Sequence, residues 1–570
     1  MPMTVRRAQP APPAAPQVTA PGFRSALAGL AVGLTTSGLL WLSHFPVAWG
    51  WLAWVALVPW LMLVRIGLPR RTRYPIAWLA GLAFFVPALS WMRVAHEAMC
   101  YSWLGLALYC SWYFPLALWL IRRLDRRSGL PLTLTVPAVW TALEFVRSNL
   151  AGGFAWYLLG QSQHDALPVI QVADLAGVGA VTFLVAAVNG LLAEAVWARF
   201  GGGRTRLRPQ AVGVGLALAA VLAYGGWRLS QGGFADGPEV ALLQTRIDQG
   251  DRNTADEGTA SPGREQARES LQEQTGRLVN LALERPPMPD LVIWPETTFP
   301  GDWKDVAENA PPGDALDKWR ADVDEWQRSA RQVARNTGTS VLLGLNTWLF
   351  GADGKPHRYN SALLVADGGA VSRYDKMHRV PFGEYVPLRD TIPWLKKLTP
   401  YPEDVDYNLA AGEVATRFRL PVRGRAYTFG VLICYEDSDA PLAREYVRPG
   451  SEPPVDFLVN ISNDGWFMKT AEHADHLAVS RFRAVECRRA LVRAVNGGIS
   501  AVIDGSGRVV ALPGPSWAAS QAVAGLVRAA VPIDARTSLY ARLGDWLPAG
   551  CWVALAVGCC WRRRPVTPSA

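Results

Sequence analysis

Phe429-Gly430-Val431-Leu432-Ile433-Cys434-Tyr435-Glu436-Asp437 is an apolar run that ends in a thiol and turns polar at once. Branched apolar residues followed by acidic turn residues predict a buried strand, with the Cys434 sulfur at its carboxyl end, where α/β folds open their clefts. Free cysteines are among the most buried residue types, so the stretch taken alone also fits a core thiol.

Two further strand-like runs end in the ionisable groups that a reactive thiol needs. Asp290 to Trp294, then Pro295, presents Glu296; Ala370 to Tyr374, then Asp375, presents Lys376. A carboxylate can take the thiol proton as general base, while an ammonium favours the thiolate and stabilises an oxyanion. Each residue has a role the others cannot fill.

The order Glu, Lys, Cys in the contexts LVIWPETTFP, RYDKMHRVPFGEYVP and GVLICYED resembles the nitrilase superfamily. The longer strings VPFGEYVP, LVNISNDGWF, RAVECRRALVRAVNGGISAVID and SLYARLGDW resemble its membrane branch, the apolipoprotein N-acyltransferases, from about Glu239 to the C-terminus. The resemblance implies an αββα sandwich with Glu296, Lys376 and Cys434 as the catalytic residues. It implies that Glu384 positions Lys376 or the attacking group, that Glu436 shapes the loop after the nucleophile, and that Asn360 lies near the site. The implied reaction moves an acyl chain from a phospholipid to the α-amino group of a diacylglyceryl apolipoprotein, with no cofactor and no metal. The Tyr435 backbone N–H would join Lys376 in stabilising the oxyanion. The segment Gln244 to Asn253 (QTRIDQGDRN) departs from the family pattern, commonly QGNIPQ followed by a Trp, which leaves an aromatic wall from this loop without support.

At 570 residues, half of them apolar and 25 of them Trp, the chain exceeds one ordinary domain. Its formal charge of +9 comes from Arg residues in short blocks between apolar runs. Such blocks read as membrane topology signals, not as a nucleic-acid-binding face. The seven cysteines are odd in number and lie mostly in or beside apolar runs, so no disulfide framework is expected.

Apolar runs at about 25 to 43, 48 to 66, 75 to 92, 102 to 121, 131 to 147, 176 to 197, 210 to 228 and 545 to 561 predict a bundle of about eight transmembrane helices. The fifth is short and carries Glu144. Blocks at Arg65 to Arg73, Arg122 to Arg127 and Arg199 to Arg208 alternate with loops almost free of basic residues. With Arg6, Arg7, Arg24 and Arg562 to Arg564 they place both termini in the cytoplasm and the segment 229 to 544 on the outer, periplasmic side of a bacterial inner membrane. The resulting division is a cytoplasmic tail (1 to 22), helices one to seven (23 to 228), a catalytic domain (229 to 544), helix eight (545 to 561) and a short tail (562 to 570). A twin-Arg export signal at Arg6-Arg7 is disfavoured, because the apolar run begins well after the pair and no clean cleavage site ends it.

Between the last two spans, a Gly-rich linker (Gln231 to Gly237) leads to strands expected at 239 to 244, 290 to 294, 340 to 345, 361 to 366, 428 to 433, 456 to 461 and 499 to 504, an α/β alternation. Trp303 to Asn336 reads as a solvated helix carrying Trp319 and Trp326, and Leu388 to Ala411 mixes Trp394 and Leu395 with Lys396 and Lys397, a pattern for a membrane interface or a packed loop. Gly201 to Gly203 read as a flexible connector.

Three other constellations compete. His473 and His476 with Cys487 could form a zinc site, although the second close ligand pair is missing. A papain-like pair of Cys434 with His378, His473 or His476 would leave Glu296 and Lys376 unexplained. The alternative reactions are a membrane-tethered amidase or nitrilase acting on a small C–N substrate, for which eight spans exceed the need for an anchor, and a catalytically dead scaffold, which has no use for all three residues.

Overall fold

The computed structural model describes residues 26–200, 206–250, 263–389, 391–398, 408–450 and 452–560. Calls on the N-terminal tail, Gly201 to Gly203, Arg562 to Arg564, the end of the Gln244 to Asn253 loop and residues 390 and 399–407 of the Leu388 to Ala411 insert lie outside them.

The first part is helical. Among the described residues, four helices are long and apolar enough to cross a membrane: Ala26–Ser43, Met99–Arg127, Val178–Phe200 and Leu207–Ser230. Helices Arg70–Ala88, Leu132–Asn149 and Trp546–Cys560 fall on three more of the expected runs. The run at 48 to 66 departs from expectation, because Gly50–Val64 is a chain of short helical turns instead of one rod. The fourth run is two helices that meet at Trp112.

Backbone groups freed by these breaks find side-chain partners, as a lipid-facing chain requires. Asn189 accepts from Leu57 N and donates to Ala53 O, and Thr36 accepts from Trp60 N. Glu144, which made the fifth span doubtful, accepts from Trp140, Leu159 N and Thr182. Some basic loop residues do more than mark topology. Arg65 pairs with Asp125 at 2.7 Å and with the buried Glu194 at 2.8 Å, and Arg127 donates to Cys559 O. These contacts gather the Arg-bearing ends of the helices, and the end of Trp546–Cys560, on one face of the bundle.

The second part is built on two sheets. Its strands are β1 (Ala235–Gln244), β2 (Leu291–Ile293), β3 (Trp303–Val306), β4 (Ser340–Phe350), β5 (Pro356–Val365), β6 (Val371–Asp375), β7 (Arg417–Val422), β8 (Arg425–Ile433), β9 (Phe457–Asn463), β10 (Ala490–Asn496), β11 (Ala501–Ile503), β12 (Val509–Ala511) and β13 (Gly525–Ile533). One sheet runs β13-β1-β2-β4-β5-β6 with β3 on β4; the other runs β12-β11-β10-β9-β8-β7.

Period-two alternation sorts each strand between two cores. Val240 and Leu242 face the other sheet with Ile293, Val431, Ile433, Val459 and Val492, while Ala241 and Leu243 face outward with Val292 and Leu343 onto helices Arg264–Leu283 and Asp314–Thr337. On the far side Leu432, Leu458 and Leu491 pack against helices Ala440–Glu445 and Glu472–Cys487. The layers are therefore αββα, as expected.

Several details differ from the sequence reading. Trp303 opens a strand, not a helix, and the helix begins at Asp314. The linker is shorter than expected, because helix Leu207–Ser230 and β1 leave only residues 231–234 between them. Strands β7, β10, β12 and β13 were not anticipated either; in β10 a charged residue, Arg493, interrupts the apolar pattern yet is fully buried. Residues 150–177, also unanticipated, form a folded platform of short turns and helices beneath the second part.

Candidate active site

Strand β8 delivers Cys434 to the end of its sheet, and the backbone turns there. Cys434 takes φ +54°, a left-handed conformation costly for a residue with a side chain, and begins the turn Cys434–Ser438. Glu436 holds that turn. Its Oε2 accepts from Ile433 N at 2.7 Å, and its Oε1 accepts from Met377 N and His378 N at 2.7 and 2.9 Å. One buried carboxylate thus ties the Cys434 turn to the chain just after Lys376. Burial pushes Glu436 up to about 7, against the pull of those N–H donors.

The structure brings the other expected residues together from β2, β5 and β6. Lys376, fully buried, places Nζ 2.8 Å from Glu384 Oε1 and 3.4 Å from Glu296 Oε1. Asn360 Nδ2 donates to Glu296 Oε1 at 2.6 Å, and Asn463 N donates to Glu296 Oε2 at 2.8 Å. Burial works against the Lys376 charge, but Glu384 and Glu296 outweigh it and hold the ammonium well above its ordinary range. Burial, aided by Glu296, pushes the Cys434 thiol up to about 12, while Lys376 pulls it down. At rest the sulfur therefore keeps its proton, and a base must remove it during reaction.

A second ionic cluster lies under the turn. Asn460 Nδ2 donates to Leu432 O and Cys434 O, and its Oδ1 accepts from Arg493 at 2.7 Å. Arg493 also donates to Asp464 at 2.7 Å and Asp437 at 3.2 Å, and His476 bridges the same two carboxylates at 3.1 and 3.0 Å. Both ring nitrogens of His476 are thereby taken by carboxylates. The zinc constellation does not form: Cys487 sits 11 residues from His476 at the other end of one helix, about 16 Å away along its axis. His378 is not a base for the thiol either, because its two ring nitrogens meet Asp439 and Gly152 O.

Sequence reasoning missed the platform. Tyr435 O–H donates to Gly153 O at 2.6 Å and its ring stacks on Trp156 at 5.1 Å. Buried Arg147 fixes that segment by donating to Phe154 O, Trp156 O and Tyr157 O. Farther along, buried Asp174 accepts from both Arg228 and Arg488, joining the platform, the helices and the sandwich. The paired Gly152-Gly153 and aromatic-rich run GGFAWY between two apolar spans were the available signal. A cleft of about 630 Å³, lined by Gly152, Met377, His378, Arg379, Tyr385 and Asp439 among others, opens at this junction.

Comparison with known proteins agrees with both halves. Residues 36–191 match the apolipoprotein N-acyltransferase N-terminal domain, and residues 239–532 match the carbon-nitrogen hydrolase family. The apolipoprotein N-acyltransferase of Geobacter metallireducens is 31% identical over 90% of this chain and 92% of its own. That of Bradyrhizobium diazoefficiens is 31% identical over 95% and 96%. Among solved structures, an amidase from Nesterenkonia sp. is 17% identical with a TM-score of 0.34, over 55% of this chain and 97% of that one. With a sandwich carrying Glu, Lys and Cys at converging strand ends, seated on membrane helices, and relatives alike over nearly its whole length, the chain belongs to the apolipoprotein N-acyltransferase family.

Proposed function

We propose that this protein transfers an acyl chain from a phospholipid, through a thioester on Cys434, to the α-amino group of the N-terminal diacylglyceryl-cysteine of an apolipoprotein. The observation that carries the reading is the buried Glu296, Lys376 and Glu384 cluster beside the Cys434 turn. Membrane placement supports a lipid substrate, since the cluster's domain is bonded to the helices at Gly152, Gly153 and Asp174. We assign it to the inner membrane with eight spans and a periplasmic sandwich. The Arg-bearing helix ends gather on one face, where positive loops mark the cytoplasm, and the sandwich is bonded to the platform of residues 150–177.

Glu296 takes the Cys434 proton as the sulfur attacks the ester carbonyl, and Lys376 with the Tyr435 N–H stabilises the oxyanion. Collapse breaks the ester C–O bond, and the lysophospholipid leaves with the proton from Glu296. The lipoprotein amine then attacks the thioester, Glu296 takes its proton, and the C–S bond breaks to form an amide and return the thiol. Glu384 holds the Lys376 ammonium, Asn360 orients Glu296, and Glu436 fixes the turn. Water is the competing nucleophile, so exclusion of water at the junction matters to the outcome.

Intact mass spectrometry of the purified protein after incubation with phospholipid tests this reading. One acyl adduct per chain, absent in Cys434→Ala, is expected, with about one equivalent of lysophospholipid released before the reaction stalls without an amine acceptor. Sustained lysophospholipid release without acceptor would overturn it.

A further inference from the structure

Two consecutive carbonyls of the platform accept hydrogen bonds from residues adjoining the proposed catalytic ones. Gly152 O accepts from His378 Nε2 at 2.7 Å, two residues after Lys376, and Gly153 O accepts from Tyr435 O–H at 2.6 Å, one residue after Cys434. The platform turn can offer both carbonyls because Gly152 and Gly153 take φ +89° and +73°, and a Cβ on Gly153 would lie 2.2 Å from Ser148 O. The two donors also touch each other, His378 lying edge-on to the Tyr435 ring at 5.4 Å. The backbone N–H groups of Met377 and His378 meet the same Glu436 carboxylate that holds the nucleophile turn.

The other ring nitrogen of His378, Nδ1, lies 2.7 Å from Asp439 Oδ2. A carbonyl and a carboxylate have no hydrogen to give, so both nitrogens must carry one, and the ring must be an imidazolium. We propose that His378, as an imidazolium bonded at once to Gly152 O and Asp439, is a positioning residue that couples seating of the membrane platform to the oxyanion-stabilising turn at Tyr435.

The groups facing His378 are Asp439 at the head of helix Ala440–Glu445, Glu436 and Tyr435 in the nucleophile turn, and Arg379, Glu413 and Glu445 across the cleft. Burial works against the charge, but Asp439 and the Gly152 carbonyl outweigh it and hold the ring above its ordinary 6.5. The link is therefore intact below that raised value. It is lost as pH rises through the raised value, when one nitrogen gives up its hydrogen and one of the two bonds breaks.

The inference rests on the acyl-transfer reading, and its test separates the two. Full-length protein in phospholipid vesicles is compared with His378→Gln in the single-turnover lysophospholipid burst across about pH 6 to 10, beside alkylation of Cys434 by iodoacetamide, which forms no oxyanion. The variant should lose about tenfold in burst rate, keep alkylation within about twofold, and lack the alkaline fall shown by wild type. Asp439→Asn, whose oxygen keeps the Leu442 N cap and whose amide N–H then faces Nδ1, makes that nitrogen an acceptor and should remove the fall. Glu436, near 7, faces the imidazolium and should rise further when that charge is removed, so the test reads the alkaline fall and not the limb near 7. A variant burst within about twofold of wild type, or a parallel loss of alkylation and burst, would overturn the role of His378. A wild type with no burst would overturn the acyl-transfer reading and this inference with it.

Discussion

Two buried ionic clusters flank the Cys434 turn, and they differ in one respect. Under the turn, Asp437 and Asp464 face Arg493 and His476, and each of their carboxylate oxygens has a partner; Glu472, 3.4 Å from His476, is pushed by burial and by Asp464 toward its neutral form, so two negative groups meet two positive ones. Burial opposes the His476 charge, but with both its nitrogens on carboxylates the ring is held well above its ordinary range. Beside the thiol, Glu296 and Glu384 share the single cation Lys376. That cluster carries one negative charge more than its cations match. On the proposed mechanism Glu296 is the carboxylate of this cluster that receives a proton during reaction. Equal burial then serves support under the turn and chemistry beside the thiol.

The largest expected effect breaks the unbalanced cluster. Lys376→Ala removes its only cation, leaving two carboxylates that one proton can relieve. The burst rate per folded protein should fall by about 10²- to 10³-fold, as when an oxyanion donor is lost, and removal of the buried partner should also lower the unfolding temperature. A near-normal rate would show that the cation plays no part in the transition state.

The cluster under the turn should respond through stability first. Arg493→Met leaves Asp437 and Asp464 with His476 alone, deep under the turn. Removing one partner from such a buried set costs about 3–5 kcal/mol, so the unfolding temperature should drop by several degrees. Activity should fall through loss of folded protein and through the loosened Asn460 contact with Cys434 O. If activity vanished while unfolding was unchanged, Arg493 would belong with the reactive cluster.

The contrast also explains what could be read in the sequence. Glu296, Lys376 and Cys434 each sit where an apolar strand pattern stops, so their positions stood out, and Glu384, Glu436 and Asn360 came with the motifs around them. Arg493 sits inside a strand, where its charge masked β10, because its partners lie 29 to 56 positions away and only folding brings them near. The platform was hidden for a related reason. Its contribution is made by the carbonyls of Gly152 and Gly153, which no side-chain pattern announces. The second apolar run looked like a membrane rod because hydropathy averages over Gly50–Val64, whereas the breaks in it depend on remote partners such as Asn189 and Thr36.

The smallest expected effect compares the two cysteines of the sandwich. Burial pushes Cys487 to about 12, the same value that Cys434 reaches, so thiol acidity does not tell them apart. Their neighbours do. Cys434 has Glu296 and Lys376 beside it, whereas Cys487 packs among Leu442, Leu477 and Leu491, with Glu486 and Arg483 already paired to each other. Cys487→Ala should cost about 1 kcal/mol as a small core cavity and leave the one-equivalent burst unchanged. Iodoacetamide at mildly alkaline pH should label Cys434 and spare Cys487, since only the former has a base to accept its proton as the bond forms. Loss of the burst in Cys487→Ala would mean that the neighbouring carboxylate and ammonium are not what makes a buried thiol in this fold reactive.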